Sequence, residues 1–416
     1  MIAKIIFRNL LHKPLATLLS VVLLMFGTGI ISLLLLLYTQ IEDKFNNDLR
    51  DIDLVIGAKG SPLQLVLSAV YHMDAPTGNI LQSDAEKIIH NPLIEQAIPL
   101  AYGDSYKTFR IVGTDVGYLQ KYNAQFREGK IFNHVLDAVI GSNIVHSTQL
   151  KSGDTFFGTH GAGMKGHVHA AFQYKVTGIL KETNTVLDNL VLTNIATVWK
   201  IHEHHDDDKD EEQTNEAGPA GKEKHKQETD SVHKPGNEIT ALLIKFRSPM
   251  GLMTLPRIIN ETTNMQSASP ALEINRLFDL MGIGITTMQA VAFSIILISG
   301  LSVFISLYNR LKERKYELAL ARSMGSSRML LFFMTLSEGV ILAITGFVAG
   351  MLLARAGLYF LNGYSSGNYH INIKIKGLII EELYLFLITM GIGITASFIP
   401  AIRAFNLNIS KTLANE

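Results

Sequence analysis

Four hydrophobic stretches divide the chain, one near the N-terminus and three towards the C-terminus, and they lie at residues 15–38, 281–308, 329–354 and 383–402. Residues 15–38 carry no charge, and as a helix rising about 1.5 Å per residue they exceed the roughly 30 Å hydrocarbon core of a bilayer. Because lipid offers no hydrogen-bond partners, each stretch predicts a transmembrane helix. The first stretch is longer than a signal-peptide core, and no small-residue cleavage site follows it, so we interpret it as a retained anchor.

Basic residues near the stretches predict the orientation of the protein. The three segments that topology places on one side are all basic, and their basic residues are Lys4, Arg8, Lys13, Arg310, Lys312, Arg314, Lys315, Arg322, Arg328, Arg403 and Lys411. Lys and Arg accumulate on the cytoplasmic side of membrane proteins. We therefore expect a multi-pass protein of the bacterial inner membrane with its large polar segment on the periplasmic or extracellular side.

These patterns predict an α-helical membrane protein with four transmembrane helices and a large α+β extracytoplasmic domain between helices one and two. The remaining segments are a cytoplasmic N-terminus at 1–14, the outer domain at 39–280, a cytoplasmic coupling helix at 309–328, an outer loop at 355–382 and a cytoplasmic tail at 403–416. Residues 41–49 and 271–280 are expected to form stalk helices that bring the ends of the outer domain together.

Within the outer domain, short apolar runs bounded by turn residues predict strands. These runs are 53–56, 109–112, 138–140, 174–180, 190–192 and 239–246. Helices are predicted at Ser83–His90, with Ser83 as N-cap, and at Met250–Thr262. The mixture favours one or two small α+β lobes.

Residues 202–234 form an insert that is rich in histidine and acid and poor in apolar side chains, so it is predicted to be disordered. Imidazole and carboxylate groups suit Zn²⁺, and His202, His204 and His205 are candidate ligands. A second candidate group, His160, His167 and His169, lies in a glycine-rich stretch. The alternatives are a solvated acidic loop and an exposed hairpin tip with incidental histidines, and both stay open.

Composition excludes several classes of function. Hydrophobic residues make up 47% of the chain, the net charge is zero and cysteine is absent. Because the chain has no net positive charge, its electrostatics do not favour nucleic acid as a partner. Disulfides and thiolate metal sites are excluded as well.

The segment Leu311–Arg328 resembles the cytoplasmic helix of MacB/FtsX-type ABC transporter permeases, in which an acid/base start and an apolar run precede Arg, a small residue and Gly. Further similar segments are Phe7–Leu18, Arg127–Phe132, Val139–Ser142, Gly153–Asp154, Tyr174–Leu180 and Ser397–Phe405. The resemblance implies a type VII, mechanotransmission-class permease that works as a homodimer with a separate ABC ATPase. It implies no required cofactor.

The sequence is consistent with the expectation of a separate ATPase, because it contains no Gly-x-x-x-x-Gly-Lys-Ser/Thr phosphate loop. We therefore expect no enzymatic activity on this chain. The residues predicted to couple it to the ATPase are Glu313, Arg314, Glu317, Arg322 and Gly325. A plain positive-inside linker is the alternative.

Two features of the third hydrophobic stretch bear on mechanism. Glu338 is its only acid, and it predicts a cation relay or a hydrogen bond to the cytoplasmic helix near the interface. Gly346 and Gly350 form a Gly-x-x-x-Gly pair that permits close helix packing.

Three functions fit the sequence. The first is a permease subunit that exports or extracts a lipoprotein, peptide or small molecule. The second is the same machine serving zinc or another divalent metal, and the third is an FtsX-like scaffold that activates an extracytoplasmic partner. Membrane lipids and a periplasmic binding or adaptor protein are expected partners.

Deletion of residues 203–233 should leave assembly and ATP-dependent activity intact, because a segment with so few apolar residues adds little to a core and loop-closure cost depends weakly on length. If the insert binds zinc, calorimetry should show that the deletion variant loses low-affinity binding. Zinc binding should also weaken as pH falls through the histidine pKa. Loss of assembly on deletion would refute the prediction that the insert is dispensable for folding. Absence of zinc binding by the intact protein near neutral pH would refute the prediction of a metal site.

Overall fold

The computed structural model describes residues 14–159, 168–203, 237–368 and 377–407. These residues form two compact units. We call them the membrane unit, made of the described residues of Met1–Glu42 and Asp279–Glu416, and the outer domain, Asp43–Phe278. The predicted insert lies almost wholly outside the described residues.

The described elements have the following bounds. The helices are α1 Pro14–Leu49, α2 Pro62–Ala69, α3 Gln82–Ile89, α4 Val116–Lys121, α5 Ser142–Thr148, α6 195–203, α7 Met250–Thr262, α8 Pro270–Glu313, α9 Lys315–Ser323, α10 Arg328–Asn368 and α11 Ile380–Phe405. The strands are β1 Leu54–Ala58, β2 Ile80–Leu81, β3 Ile94–Tyr106, β4 Phe109–Thr114, β5 Phe126–Gly129, β6 Asp137–Ile140, β7 Thr155–Thr159, β8 Val168–Leu180, β9 Leu190–Asn194, β10 Glu238–Ile239, β11 Ala241–Phe246 and β12 Met265–Ala268.

Four helices, α1, α8, α10 and α11, are long and apolar enough to cross a membrane. With the α+β domain between the first and second of them, they confirm the predicted fold class. Helices α1 and α8 contain 36 and 44 residues. At about 1.5 Å per residue both exceed the thickness of a bilayer core, so each extends beyond the hydrocarbon.

One mixed sheet organises the outer domain. Its strand order is β12-β1-β11-β3-β4-β9-β6-β8-β5, and β7 pairs with β3 and β8. The pairs β4–β9 and β6–β8 are parallel, and the other pairs in this order are antiparallel. The long strand β3 joins the two halves, because it pairs with β11 through Ile94–Leu100 and with β4 through Ala101–Tyr106. The domain is therefore built on one continuous main sheet.

Three local predictions for the outer domain need correction. Helix α3 begins at Gln82 rather than Ser83, and Leu81 precedes it without a side-chain cap. The N–H of Gln82 instead donates to the carbonyl of Asn237. The predicted strand 239–246 is divided at Thr240, whose N–H donates to the carbonyl of Leu100 and whose Oγ1 accepts the N–H of Tyr102.

Helix α10 is longer than its predicted span. It continues to Asn368, and α11 begins at Ile380. Much of the predicted outer loop 355–382 is therefore helical.

Glycines allow α1 and α10 to touch through their backbones. A Cβ on Gly350 would lie 2.9 Å from the amide nitrogen of Gly29, and a Cβ on Gly346 would meet the Leu24 side chain. Thr28 lies in the same contact, fully buried, and its Oγ1 reaches the Gly346 carbonyl at 3.5 Å. Small residues permit such approach in membranes, where van der Waals contact holds helices together.

A histidine–tyrosine cluster is buried in the outer domain near α2. His72 Nδ1 lies 2.7 Å from the Tyr102 hydroxyl, and Nε2 lies 2.9 Å from the Tyr118 hydroxyl. The Tyr102 hydroxyl donates its proton to the Ser68 carbonyl, so it accepts from Nδ1–H of His72. Nε2 then accepts from Tyr118, and the neutral imidazole satisfies both tyrosines. Burial and the nearby Arg110 guanidinium lower the pKa of His72 to about 3.

Replacing Gly350 with Leu should destabilise the membrane unit by about 3 kcal/mol, because the larger side chain forces α1 and α10 apart. Thermal unfolding of the detergent-solubilised protein measures the effect. Gly391→Leu is the matched control, since nothing lies within 4 Å of a Cβ at Gly391 in the described part of the chain. Equal melting temperatures for the two variants would contradict the packing account.

The outer domain should lose stability as pH falls. The unfolded chain takes up a proton on His72 below its ordinary pKa near 6.5, whereas the folded chain resists protonation until about 3. Stability is therefore full well above pH 6.5 and declines as the pH falls from about 7 towards 3, by about 2.5 kcal/mol at pH 4.5. The groups facing His72 are Arg110, Tyr102 and Tyr118.

Fluorescence of Trp199, the only tryptophan of the chain, reports denaturant unfolding of this domain. His72→Asn removes the titrating group and suits the left-handed backbone there, where φ is +55. Its unfolding midpoint should vary less with pH, whereas the exposed-site control His90→Asn should behave as the unmodified protein does. The same pH dependence in all three proteins would exclude His72 as the cause.

Candidate functional site

A short helix, α9, lies between the second and third membrane helices, and we call it the coupling helix. Helix α8 ends at Glu313, and Arg314 interrupts the helical path with φ −96 and ψ 14. Arg314 Nε then pairs with Glu317 Oε2 at 2.9 Å across the first turn of α9. By the predicted orientation, this turn is cytoplasmic.

Glycine ends the coupling helix. Gly325 has φ +102, a left-handed conformation that favours glycine. Its N–H donates to the Arg322 carbonyl, and the N–H of Ser326 donates to the Ala321 carbonyl. This pair of bonds is the Schellman motif. A Cβ at Gly325 would meet nothing within 4 Å, so backbone conformation alone favours glycine here.

One face of the coupling helix packs onto the ends of the membrane helices. Leu318 contacts a cluster formed by Leu311, Leu331 and Ala404 of α8, α10 and α11, and Ala319 is fully buried. Arg322 Nη1 donates to the Leu407 carbonyl at 2.8 Å, just beyond α11. The helix is therefore attached to three of the four membrane helices.

The opposite face is apolar and exposed. Tyr316, Leu320 and Met324 are 44%, 45% and 77% exposed, and their spacing of four residues aligns them along one side of the helix. We call these three residues the apolar stripe. Glu313 and the 65%-exposed Glu317 flank the stripe. An exposed apolar strip with an acidic rim is typical of a protein-binding surface.

The predicted coupling residues thus fall in different places. Glu313 and Glu317 border the stripe, and Arg314 is held by Glu317. Arg322 points inward to the Leu407 carbonyl, so it anchors the helix. Leu318 of the same helix packs inward, whereas Leu320 and Met324 are exposed. Only the contacts with other helices distinguish these positions.

Glu338 is buried in α10, 7% exposed, and interacts electrostatically with Arg310 of α8. The Arg310 guanidinium donates to Ser306 Oγ at 3.1 Å and to Thr17 Oγ1 of α1. Sequence reasoning counted Arg310 only as a positive-inside residue. In the structure, Arg310 is also the cation that interacts with Glu338, near the cytoplasmic ends of α1, α8 and α10.

A second buried ionic group, which no sequence pattern predicted, joins α1, α10 and α11 at their other ends. Arg355 of α10 forms a bidentate pair with Glu382 of α11, with both N···O distances 2.7 Å. Ser32 Oγ of α1 donates to Glu382 Oε1 at 2.6 Å, and Glu382 is fully buried. Both charged residues had been placed in the predicted outer loop.

The described residues contain no group of three His, Asp or Glu side chains that could hold a metal ion. His202 lies in the last turn of α6 and lines a small pocket with Glu203, Glu238 and Trp199. Strand β8 contains His169, whose side chain lies outside the described part of the chain. The other candidate ligands, His160, His167, His204 and His205, also lie outside the described residues. Zinc therefore has no support from the described side chains.

Comparison with known protein families gives two matches. The FtsX-like permease C-terminal model matches residues 290–409, and the MacB-like periplasmic core domain model matches residues 17–217. A search of the curated proteins gives no match.

The solved structures that are similar to part of the chain include the following two. The periplasmic region of MacB from Actinobacillus actinomycetemcomitans has 11% identity and a TM-score of 0.34, covering 56% of this chain and 95% of that one. The extracellular domain of the noncanonic ABC-type transporter YknZ from Gram-positive bacteria has 11% identity and a TM-score of 0.30, covering 52% and 99%.

The two family matches fall on the two units in the expected order. The periplasmic core domain match begins in α1 and covers most of the outer domain, and the permease match covers most of α8 and the three helices after it. Together with the four membrane helices found among the described residues, they place the protein in the inner membrane with the outer domain outside. The chain belongs to the MacB/FtsX-like permeases, which are membrane subunits of ABC transporters.

Proposed function

We propose that this chain couples ATP hydrolysis on a separate ABC ATPase subunit to movement of its outer domain. The observation that carries the proposal is the coupling helix, which is attached to the membrane helices on one face and exposes the apolar stripe on the other. The chain itself has no phosphate-binding loop. A separate ATPase would supply the nucleotide chemistry, and the stripe offers it an apolar surface.

The chemistry of the stripe suits a groove on the ATPase. Tyr316, Leu320 and Met324 are large side chains, and complete burial of such a side chain stabilises a contact by about 1.5–3 kcal/mol. Glu317 pairs with Arg314, so these two charges offset each other and the apolar side chains determine the contact.

Movement of the coupling helix would act on several membrane helices at once. Its inner face contacts the cytoplasmic ends of α8, α10 and α11, and Arg310 adds a hydrogen bond to α1. The interior of the membrane unit is filled by apolar side chains such as Leu24, Ile296 and Leu342. This packing favours transmission of movement over conduction of a polar substrate between the helices.

The cargo is then handled outside the membrane, and lipoproteins, peptides and small molecules fit this arrangement. Two copies of the chain would bring eight membrane helices together with two ATPase subunits, so we propose a homodimer. Metal transport is not included, because the described side chains hold no metal cluster.

Met324→Glu should reduce co-purification of the cognate ATPase about tenfold or more, because a charge replaces an apolar contact at the centre of the interface. Leu320→Glu should act in the same way. Both positions are exposed in the chain alone, so its own melting temperature should not fall by more than a degree or two.

The matched control is Met253→Glu, which makes the same substitution at a methionine of the outer domain that is 83% exposed. It should leave ATPase association and ATP turnover of the complex unchanged. Undiminished association of the Met324 and Leu320 variants would exclude the stripe as the docking surface.

A further inference from the structure

A basic pocket lies at the cytoplasmic end of the membrane unit, beside the coupling helix. It has a volume of about 370 Å³ and is formed by the last turns of α8, the first residue of α9 and the end of α11. Lys312, Lys315 and Arg403 contribute three cations, and none of the described residues that line it is acidic. We call this cavity the basic pocket.

The pocket is held in shape by contacts within the membrane unit. The Arg403 guanidinium lies 4.6 Å from the centre of the Tyr308 ring, which positions it by a cation–π interaction. Leu407 lines another side, and its carbonyl accepts the hydrogen bond from Arg322. Three cations held around one cavity repel each other unless an anion lies between them.

The depth of the pocket points to the source of the anion. Tyr308 is the last residue of the second hydrophobic stretch, and Arg403 follows the fourth directly, so both lie where a bilayer has its headgroups. One turn deeper on the same helices, Ile305 and Ile399 are 49% and 51% exposed. These apolar side chains offer a surface for acyl chains beneath a headgroup held by the cations.

We propose that the basic pocket binds the phosphate of an anionic phospholipid from the cytoplasmic leaflet. That leaflet carries negative lipid charge, and basic pockets between transmembrane helices on this side suit anionic headgroups. A bound headgroup would connect α8, the coupling helix and α11 at one point. It would thereby fix the start of the coupling helix relative to the membrane helices.

The pocket and the apolar stripe occupy different faces of the coupling helix. At roughly 100° per residue, Lys315 lies on the side of Ala319, about 140° from the middle of the stripe. Ala319 is fully buried, and the stripe is exposed. A lipid in the pocket would therefore leave the proposed ATPase surface open, and this inference does not depend on the proposed function.

Native mass spectrometry of the delipidated full-length chain tests the proposal, with phosphatidylglycerol and phosphatidylcholine as probes. The protein should bind phosphatidylglycerol more tightly than phosphatidylcholine. Each basic group near an anionic lipid strengthens binding about fivefold, so Lys312→Gln with Arg403→Gln should weaken phosphatidylglycerol binding about 25-fold. Lys315→Gln alone should weaken it about fivefold.

The control is Lys151→Gln with Arg328→Gln, which removes the same charge outside the pocket and should change binding less than twofold. Unchanged melting temperatures show that the variants are folded, and the single Lys315 variant serves if the double variant is not. Equal losses in the pocket and control variants would overturn the proposal, as would equal binding of the two lipids. Displacement of phosphatidylglycerol by excess inorganic phosphate would also overturn it, since the site would then take a free anion.

Discussion

The hydrocarbon core of a bilayer contains no water, and the structure of the membrane unit depends on this fact. Every backbone group in the core must be satisfied within a helix, and helices gain little from hydrophobic association with one another. The contact between α1 and α10 therefore relies on close backbone packing at Gly29 and Gly350. Where charges are buried they come together, and Arg355, Glu382 and Ser32 join three helices through short hydrogen bonds. Removing one partner of such a pair leaves an uncompensated charge and is strongly destabilising.

The coupling helix combines attachment and exposure in a single short element. Leu318, Ala319 and Arg322 fix it to neighbouring helices, whereas Tyr316, Leu320 and Met324 extend into solvent. A helix attached in this way cannot rotate freely without moving the ends of α8, α10 and α11. The basic pocket lies at its start, so a lipid headgroup and an ATPase would act on the same helix from different sides.

Long-range patterns made most of the architecture predictable from the sequence. The four membrane helices follow from uninterrupted apolar stretches, and α7 has the predicted bounds Met250–Thr262 because its apolar period and flanking residues agree. Strand β3 was missed, because Pro99 and Gly103 resemble turn signals, although Pro99 pairs with Leu242 and Gly103 lies at an irregularity in the pairing with β4.

The site was less predictable, because its assignments depend on tertiary contacts. Arg322 and Glu317 look alike in sequence, as charged residues of one short helix, and only the position of Leu407 shows that Arg322 is anchored. The pair Arg355–Glu382 spans a predicted loop, and no local pattern brings the two residues together. The histidine-rich insert stays a prediction, since most of it lies outside the described residues.

The absence of cysteine from the chain allows the central claim, that the outer face of the coupling helix receives the ATPase, to be measured directly. A single cysteine introduced as Leu320→Cys can be labelled with a maleimide in inverted membrane vesicles, with and without the purified ATPase subunit. The account predicts that the ATPase slows labelling at position 320 about tenfold or more, while labelling of Arg328→Cys stays within about twofold, because interface cores exclude water more strongly than their surroundings. Equal labelling rates at position 320 with and without the ATPase would contradict it.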